Sequence, residues 1–518
     1  MKKHIYLPAL AFLLAAGFTA CNTDSLADMD NPKYMVTDET ADIGMLFTNL
    51  EVNYSRRSAV TALRIPAGYA KYYATHSLIM PGDRYQYDGS YFNEPWDMFS
   101  NEAKMVVHIL SVLEKENSPQ MANNIAILNI LKGAIFSWGT DVYGDIPYSE
   151  AGEAYLEGML SPVFDAQQDI YRSILETLSS SCAALDESLP SWRTYDVIYK
   201  GDISAWRQFG YSLMLRMAMR MAAADPESAR RYAEEAIKGG VILDNAANFS
   251  IPCVDNQNSE RNPVAYAMIY NDPEKYWKLG ADFVEALKDS DPRRKVILGG
   301  KLREDLPVPN SGIMNTYWWD DTAWDYTVDL QRGYPHGQDV QFAPYERIQK
   351  DFTRPSRYLF DYESPVVRLA AHEMYFCIAK AAALGWNTSG MTADDMYRQG
   401  VRANMTFYNS YPGVNRITDA EIDDYLAYRP YSEASLLREM WIANYMDPFQ
   451  GWFYIRQWGP DLAPNINGVD MPRRMPYASS EQTRNEANYL AALARMGMPA
   501  DVTLVGQFTY RCWWDVRK

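Results

Sequence analysis

Apolar residues recur along much of the chain at the spacing of one helix face. Met121, Ile125, Leu128, Leu131, Ile135 and Trp138 follow each other at steps of three and four, which predicts an amphipathic helix. Ser161 reads as an N-cap with Pro162 in the first helical position, leading a stripe of Phe164, Tyr171, Ile174, Leu178, Cys182 and Leu185. A third helix is predicted over about 203–223, presenting Trp206, Phe209, Leu213 and Met217. Asp225-Pro226 opens a fourth, and Gly239-Gly240 closes it. Further helical runs fall near 273–288, 365–384, 392–408, 432–445 and 485–495. The expected fold class is mainly α.

Between Asp244 and Ser364 the periodicity gives way to Asn, Pro, Gly and aromatic residues, with one clear helix. A long irregular stretch inside a compact protein usually carries function. Tyr317, Trp318, Trp319, Trp324, Tyr326, Tyr334, Phe342 and Tyr345 crowd together there among Asp320, Asp321, Asp325 and Asp329. A second group, Tyr85, Tyr87, Tyr91, Phe92 and Trp96, precedes the first long helix. Two aromatic loops from distant parts of a chain can form opposite walls of a shallow platform. Trp318, Trp319, Trp324 and Tyr326 facing Tyr87, Tyr91 and Trp96 are therefore the candidate ligand contacts. The competing expectation is that each cluster packs on itself to hold a helix-poor region together. Adjacent Trp318 and Trp319 cannot face the same way on an extended segment, so at most one stacks on ligand.

Composition sharpens this picture. The 518 residues include 14 Trp, 38 Tyr and 18 Phe, and most of these rings carry a polar handle suited to stacking and hydrogen bonding together. With 66 acidic against 49 basic residues the formal charge is −17, which argues against nucleic acid, whose binding needs a dense basic surface. Hydrophobic residues at 47% and charged residues at 22% are those of a globular chain with a large core.

Met1-Lys2-Lys3, an apolar run from Ile5 to Phe18 and the small Thr19-Ala20 read as an export signal, too short to span a bilayer. Cys21 directly after Phe18-Thr19-Ala20 resembles a lipobox, in which the thiol is lipidated and becomes the first mature residue. Residues 1–20 are thus expected to be a lipoprotein signal peptide, 21–40 a lipidated tether, and 41–518 one domain with an irregular insert at about 244–364. Cys182, Cys253, Cys377 and Cys512 lack C-x-x-C spacing, and their pairing stays open.

Catalytic signatures are missing. His372-Glu373 is followed by Phe376 where a zinc-protease helix needs its second histidine. No G-x-S-x-G, G-x-G-x-x-G or complete phosphate-binding loop occurs. No cofactor is called for, and calcium stays open because acids abound without a D-x-D-x-D-G loop. Paired carboxylates for glycoside hydrolysis need only proximity, so a glycan-cleaving enzyme remains an alternative.

Several segments together resemble one family. The run from Thr140 to Ala151, with Tyr143-Gly144-Asp145-Ile146-Pro147-Tyr148-Ser149-Glu150, resembles the Y-G-D-x-P-Y-S-E-A motif of SusD/RagB nutrient-binding outer-membrane lipoproteins. Trp206-Arg207-Gln208-Phe209 with Leu213, Leu215, Arg216, Ala218, Met219 and Arg220 is similar to the family's W-x-x-F helix. Asp291-Pro292-Arg293, then Trp441, Trp452, Arg456, Pro472, Arg473, Tyr477 and Asn485, look like its later motifs. Gln457-Trp458 and Lys380 depart from the pattern. The resemblance implies a tetratricopeptide-like helical scaffold under a loop-rich ligand region. It also implies a non-catalytic surface receptor, lipid-anchored to the outer membrane. Such a receptor captures oligosaccharides, or alternatively oligopeptides, for a SusC-like TonB-dependent transporter. Arg216 and Arg220, one helical turn apart beside an apolar stripe, are expected to pair with acids across a helix interface rather than touch ligand.

Overall fold

The computed structural model describes residues 42–152, 158–308, 314–339, 342–459, 462 and 465–516. Cys21, its leader and its tether lie outside them. The division into compact units falls between Leu46 and Phe47, and residues 47–518 form one unit.

That unit is mainly α, as the periodicity predicts, and consecutive helices pack on each other in tetratricopeptide-like pairs. Glu94–Glu116 lies on Ala122–Tyr143, which lies on Gln167–Ala184; Ile203–Arg220 packs on Pro226–Gly239, and Ala371–Ala383 on Ala393–Tyr408. The Ala122–Tyr143 helix is long and apolar enough to cross a bilayer, but most of its surface is covered by neighbouring helices. Local chemistry sets the ends. Asp225 accepts from Ser228 N at the start of Pro226–Gly239, Thr392 accepts from Asp395 N, and Thr418 with Glu421 forms a full capping box.

Three helix expectations are corrected. Ser161 and Pro162 do not open a helix; Phe164–Asp165 is a strand paired with Ile146–Pro147, and the helix begins at Gln167. Its cap comes from outside the segment, because the Asp145 carboxylate accepts from Gln167 N at 2.9 Å. The run at 273–288 divides into a strand, Trp277–Leu279, and a helix, Ala281–Lys288, since the first part pairs with Tyr73–Thr75. The run at 365–384 divides likewise into Val366–Leu369, paired with Phe249–Ile251, and Ala371–Ala383. Val366-Val367 are β-branched and prefer the extended form.

The motif residues hold the scaffold together. Arg216 grips the Glu373 carboxylate through Nε at 2.7 Å and Nη2 at 2.5 Å, and Arg220 reaches Gln450 at 2.5 Å and Asp141 at 3.8 Å. Arg293 is fully buried between Asp291 and Glu439, each at 2.6 Å. Arg456 lies between the rings of Trp452 and Trp514, 4.1 and 4.4 Å from their centroids, and donates to the Asp141 carbonyl at 2.8 Å. Gly144 turns the chain at φ +85°, where a Cβ would lie 2.4 Å from Met496 Cε. Next to it, the Asp145 carboxylate also receives Arg495 at 2.5 Å, and its carbonyl accepts from Tyr477 OH at 2.6 Å. Gln457, one of the departures, donates to the Arg220 carbonyl at 2.6 Å and so satisfies a helix C-terminus.

Besides the Ala281–Lys288 helix and the strands Phe249–Ile251 and Trp277–Leu279, the described residues between 244 and 364 form short pieces: helices Pro263–Ile269, Arg294–Ile297, Met314–Trp318 and Tyr345–Asp351, and the strand pair Lys301–Leu302 with Trp324–Asp325. Their local core gathers Leu302, Met314, Ala323 and Trp324.

Candidate ligand-binding shelf

The predicted aromatic residues divide by burial. Trp96 is 4% exposed, stacks on Phe164, meets Tyr143 and Tyr477 edge-on, and donates from Nε1 to Glu481 at 3.0 Å. Trp318 and Trp324 are buried as well, and both rings face the Arg354 guanidinium, at 4.8 and 3.7 Å. The Trp324 indole N–H is bound to the Tyr317 carbonyl at 2.7 Å. Burial lowers Arg354 to about 10. Trp318 and Trp324 are therefore internal pillars with Arg354 against their rings, which corrects their assignment as ligand contacts, whereas Trp96, though buried, lines a pocket with Phe99, Leu160 and Pro162. Tyr87 is half-buried against Phe92, and Tyr91 lies under the Arg64 guanidinium at 4.7 Å.

Among the described residues, no ring pair joins these early aromatics to the central ones, so the two-walled platform is not formed as predicted. The two loops do meet, through other atoms. Arg84 Nε donates to the Gln338 carbonyl at 2.7 Å, and Gly337 N to the Asp83 carbonyl at 2.9 Å.

Trp319 and Tyr326 remain exposed, each at 43%. Of the adjacent pair, Trp318 points inward and Trp319 outward, on a short helix end rather than an extended segment. Trp319 meets Tyr362 at 6.2 Å, and the Arg261 guanidinium covers the Tyr362 ring at 4.4 Å. Arg261 is held by Asp255 at 2.5 Å and Asn258 at 2.9 Å. Burial raises the Tyr362 phenol, and the Arg261 guanidinium offsets this. Tyr266 stacks on Tyr270 at 4.9 Å and 19°. These two ring pairs, Trp319 with Tyr362 and Tyr266 with Tyr270, form the shelf; Trp319 and Tyr270 are its exposed members, Tyr270 at 62%, and Tyr362 and Tyr266 are half-buried.

Asn262 joins the two halves of this shelf. Its side-chain oxygen caps the Pro263–Ile269 helix through Val264 N and Ala265 N, its amide donates to the Ser364 carbonyl at 2.9 Å, and its backbone N–H to the Tyr362 carbonyl at 2.7 Å. Sequence reasoning missed Tyr266 and Tyr270. Their signal was Asn262-Pro263 as a helix start followed by tyrosines four apart on one face.

Beside Trp319, Asp321 accepts from Arg357 at 2.8 and 2.7 Å, from Tyr358 OH at 2.5 Å and from Tyr326 OH at 3.3 Å. The Arg357 hydrogen bonds, with those of Tyr358 and Tyr326, hold the Asp321 carboxyl down to about 2. This frame keeps its charge throughout the physiological pH range. Flat ring faces with fixed polar edges suit the apolar faces and hydroxyl rims of sugars.

The other candidate chemistry is structural. His372 is buried and lowered to about 4 by desolvation, and its neighbour Glu373 belongs to Arg216. Cys182, Cys253, Cys377 and Cys512 are free and buried, and desolvation pushes Cys182 and Cys377 up to about 12. Among the described residues, no group of three His, Cys, Asp or Glu side chains is placed to hold a metal.

A family model described as SusD-like, "Starch-binding associating with outer membrane", matches residues 34–478. The chain belongs to the SusD-like family. No curated protein matches it. Among solved structures it is similar to one described as a chitin-binding protein, 24% identical, with a TM-score of 0.77 over 92% of this chain and 100% of the other. A SusD homologue from Bacteroides uniformis is 23% identical, with a TM-score of 0.72 over 92% of this chain and 99% of the other. A chitin-binding SusD homologue from Flavobacterium johnsoniae is 20% identical, with a TM-score of 0.72 and the same coverage. At these identities the likeness establishes the SusD-like fold, and the mainly helical scaffold agrees with it.

Proposed function

We propose that this chain is a non-catalytic receptor that captures oligosaccharides at the cell surface and delivers them to a SusC-like TonB-dependent transporter, anchored to the outer membrane through Cys21. The observation that carries the reading is the shelf of Trp319, Tyr362, Tyr266 and Tyr270, in which Trp319 and Tyr270 are exposed and the neighbouring Arg261 and Asn262 are held by hydrogen bonds. Rings fixed in this way stack on sugar faces without first losing conformational freedom. The starch-binding description of the family and the chitin-binding descriptions of two similar structures support a glycan as the ligand class. The same family model, associating with the outer membrane, supports the site of action.

Glycan and peptide arrays probed with the soluble form lacking residues 1–21 test this. Binding to oligosaccharides that is lost in Trp319→Ala is expected. Exclusive peptide binding would favour the oligopeptide alternative, and new reducing ends released from glycans would show an enzyme. A complex with a barrel transporter is expected to co-purify in mild detergent; free monomer alone would refute delivery.

A further inference from the structure

On residues that the shelf does not use, an open cleft of about 470 Å³ lies between the Asp419–Tyr428 helix and the segment 290–295, a volume within the range of small-ligand sites. Its floor includes Pro292 and Tyr425, both buried. Arg293, clamped by Asp291 and Glu439, and the Tyr425 OH, bound to Glu439 at 2.5 Å, fix that floor from behind. Tyr428 lines the cleft and is 56% exposed. Side chains so exposed usually exchange rotamers freely. This one is tied down, because its OH donates to Asp289 at 2.7 Å and Arg429 holds the same carboxylate at 2.5 Å. The Tyr428 hydrogen bond keeps the Asp289 carboxyl below the usual carboxylate range. Arg429 lies over one face of the ring, 5.5 Å from its centroid, which leaves the second face to the solvent side. The polar lining is fixed too. Lys295 donates to both Glu421 oxygens at 2.6 and 2.7 Å, and Glu421 also belongs to the capping box with Thr418. Arg294 spends one N–H on the Lys288 carbonyl at 3.3 Å, and Asp424 is exposed at the rim.

We propose that this cleft is a second carbohydrate site, in which a neutral sugar ring lies against Tyr428, so that one receptor grips a polysaccharide at two points; the inference rests on the glycan-receptor reading. The lining itself selects the ligand class. An anion would meet Glu421, Asp424 and the nearby Asp289, and a cation would meet Arg294 and Lys295. An apolar peptide would strip water from these charges without replacing its hydrogen bonds. A neutral polyol answers both signs, because each hydroxyl accepts from Arg294 or Lys295 and donates to Glu421 or Asp424, while the C–H face of its ring covers the tyrosine. With one pinned ring this is the weaker of the two sites. It acts once the shelf holds the same chain and raises the local concentration of sugar beside it.

Short oligosaccharides therefore report the shelf, and polysaccharides report both sites. Native gels cast with soluble starch, β-glucan or arabinoxylan find a polysaccharide that retards the mature chain, and calorimetry with its trisaccharide measures the shelf alone. Tyr428→Ala is expected to weaken polysaccharide binding about tenfold and to leave the trisaccharide Kd unchanged, with folding checked by thermal melting. Tyr428→Phe, which keeps the ring and loses its tie to Asp289, should fall between the two. Undiminished polysaccharide binding in Tyr428→Ala, or an equal loss for polysaccharide and trisaccharide, overturns the inference and leaves the receptor reading standing. Undiminished binding together with loss of the transporter complex would make the cleft a protein contact instead. If the wild type binds none of these glycans, crystals soaked in maltotriose decide the cleft separately from the receptor reading: a sugar ring on Tyr428 supports the site, and water alone overturns it.

Discussion

Truncating two tryptophans five residues apart should give opposite phenotypes, because one is a surface and the other a pillar. Trp324 is 4% exposed, stacks at 3.7 Å on the buried Arg354 guanidinium and donates its indole N–H to Tyr317. Trp324→Ala removes a buried ring and uncovers one face of a cation, at a cost of about 3–5 kcal/mol. A chain of this size unfolds with an entropy of about 1 kcal/mol/K, so the melting temperature should fall by about 4 °C. Trp319 is 43% exposed and, among the described residues, has the edge of Tyr362 as its ring neighbour, so Trp319→Ala should leave melting within about 1 °C of wild type. Its effect belongs to the ligand. Loss of one stacking face is worth about 1–3 kcal/mol, roughly a 5- to 150-fold weaker Kd. Scanning calorimetry and titration calorimetry on the same preparations measure both quantities. Wild-type affinity in Trp319→Ala, or a ligand defect in Trp324→Ala with undiminished melting temperature, would refute the division into shelf and pillar.

Cys21→Ala should move the protein from the outer-membrane fraction to the soluble periplasm, and unchanged fractionation would refute the lipid anchor. Burial first, and the Asp196 carboxylate second, raise the Glu51 carboxyl from 4.5 to about 10, so between those pH values the native state keeps a proton that the unfolded chain has lost. Stability from this group is full below pH 4.5 and declines by about 1.4 kcal/mol per pH unit above it; Glu51→Gln should therefore gain on wild type as pH rises, by on the order of 3 kcal/mol at pH 7 in denaturant titrations, and a gap independent of pH would sink the assignment. Arg216→Met should destabilise by about 3–5 kcal/mol because it strands the buried Glu373, and adding Glu373→Met should recover much of that loss. Failure of the second change to rescue the first would show that the pair is not what Arg216 supports.

Helices were legible where the determining contacts are local. Asp225 and Thr392 cap the segments they begin, and stripes such as Leu128, Leu131 and Ile135 lie within one element. Elements fixed from a distance were not. The cap of Gln167–Ala184 belongs to Asp145, twenty-two positions upstream, and Trp277–Leu279 is a strand because Tyr73–Thr75 lies beside it. The site shows the same limit. Aromatic density singled out the central segment, in which Trp319 and Tyr326 are exposed. Trp318 and Trp324 carry the same letter, yet Arg354, some thirty positions away, covers both rings. Tyr266 and Tyr270 were overlooked because tyrosines four apart look the same on a helix whether their face meets core or solvent.

The scaffold motifs and the shelf are connected through a short series of contacts. Arg216, in the Ile203–Arg220 helix, donates not only to Glu373 but also, through Nη2 at 2.8 Å, to the Arg368 carbonyl. Arg368 belongs to the strand Val366–Leu369, whose pairing with Phe249–Ile251 fixes its register. Immediately before that strand, the Ser364 carbonyl accepts from Asn262, which caps the helix bearing Tyr266 and Tyr270 and also binds the Tyr362 backbone. One buried arginine thus holds, through a strand and an asparagine, the two segments that carry three of the four rings. Arg216 is a positioning residue for the shelf although it touches no part of it. Sites supported by regular elements in this way keep their geometry before ligand arrives, so the energy of stacking goes into affinity rather than into ordering the rings.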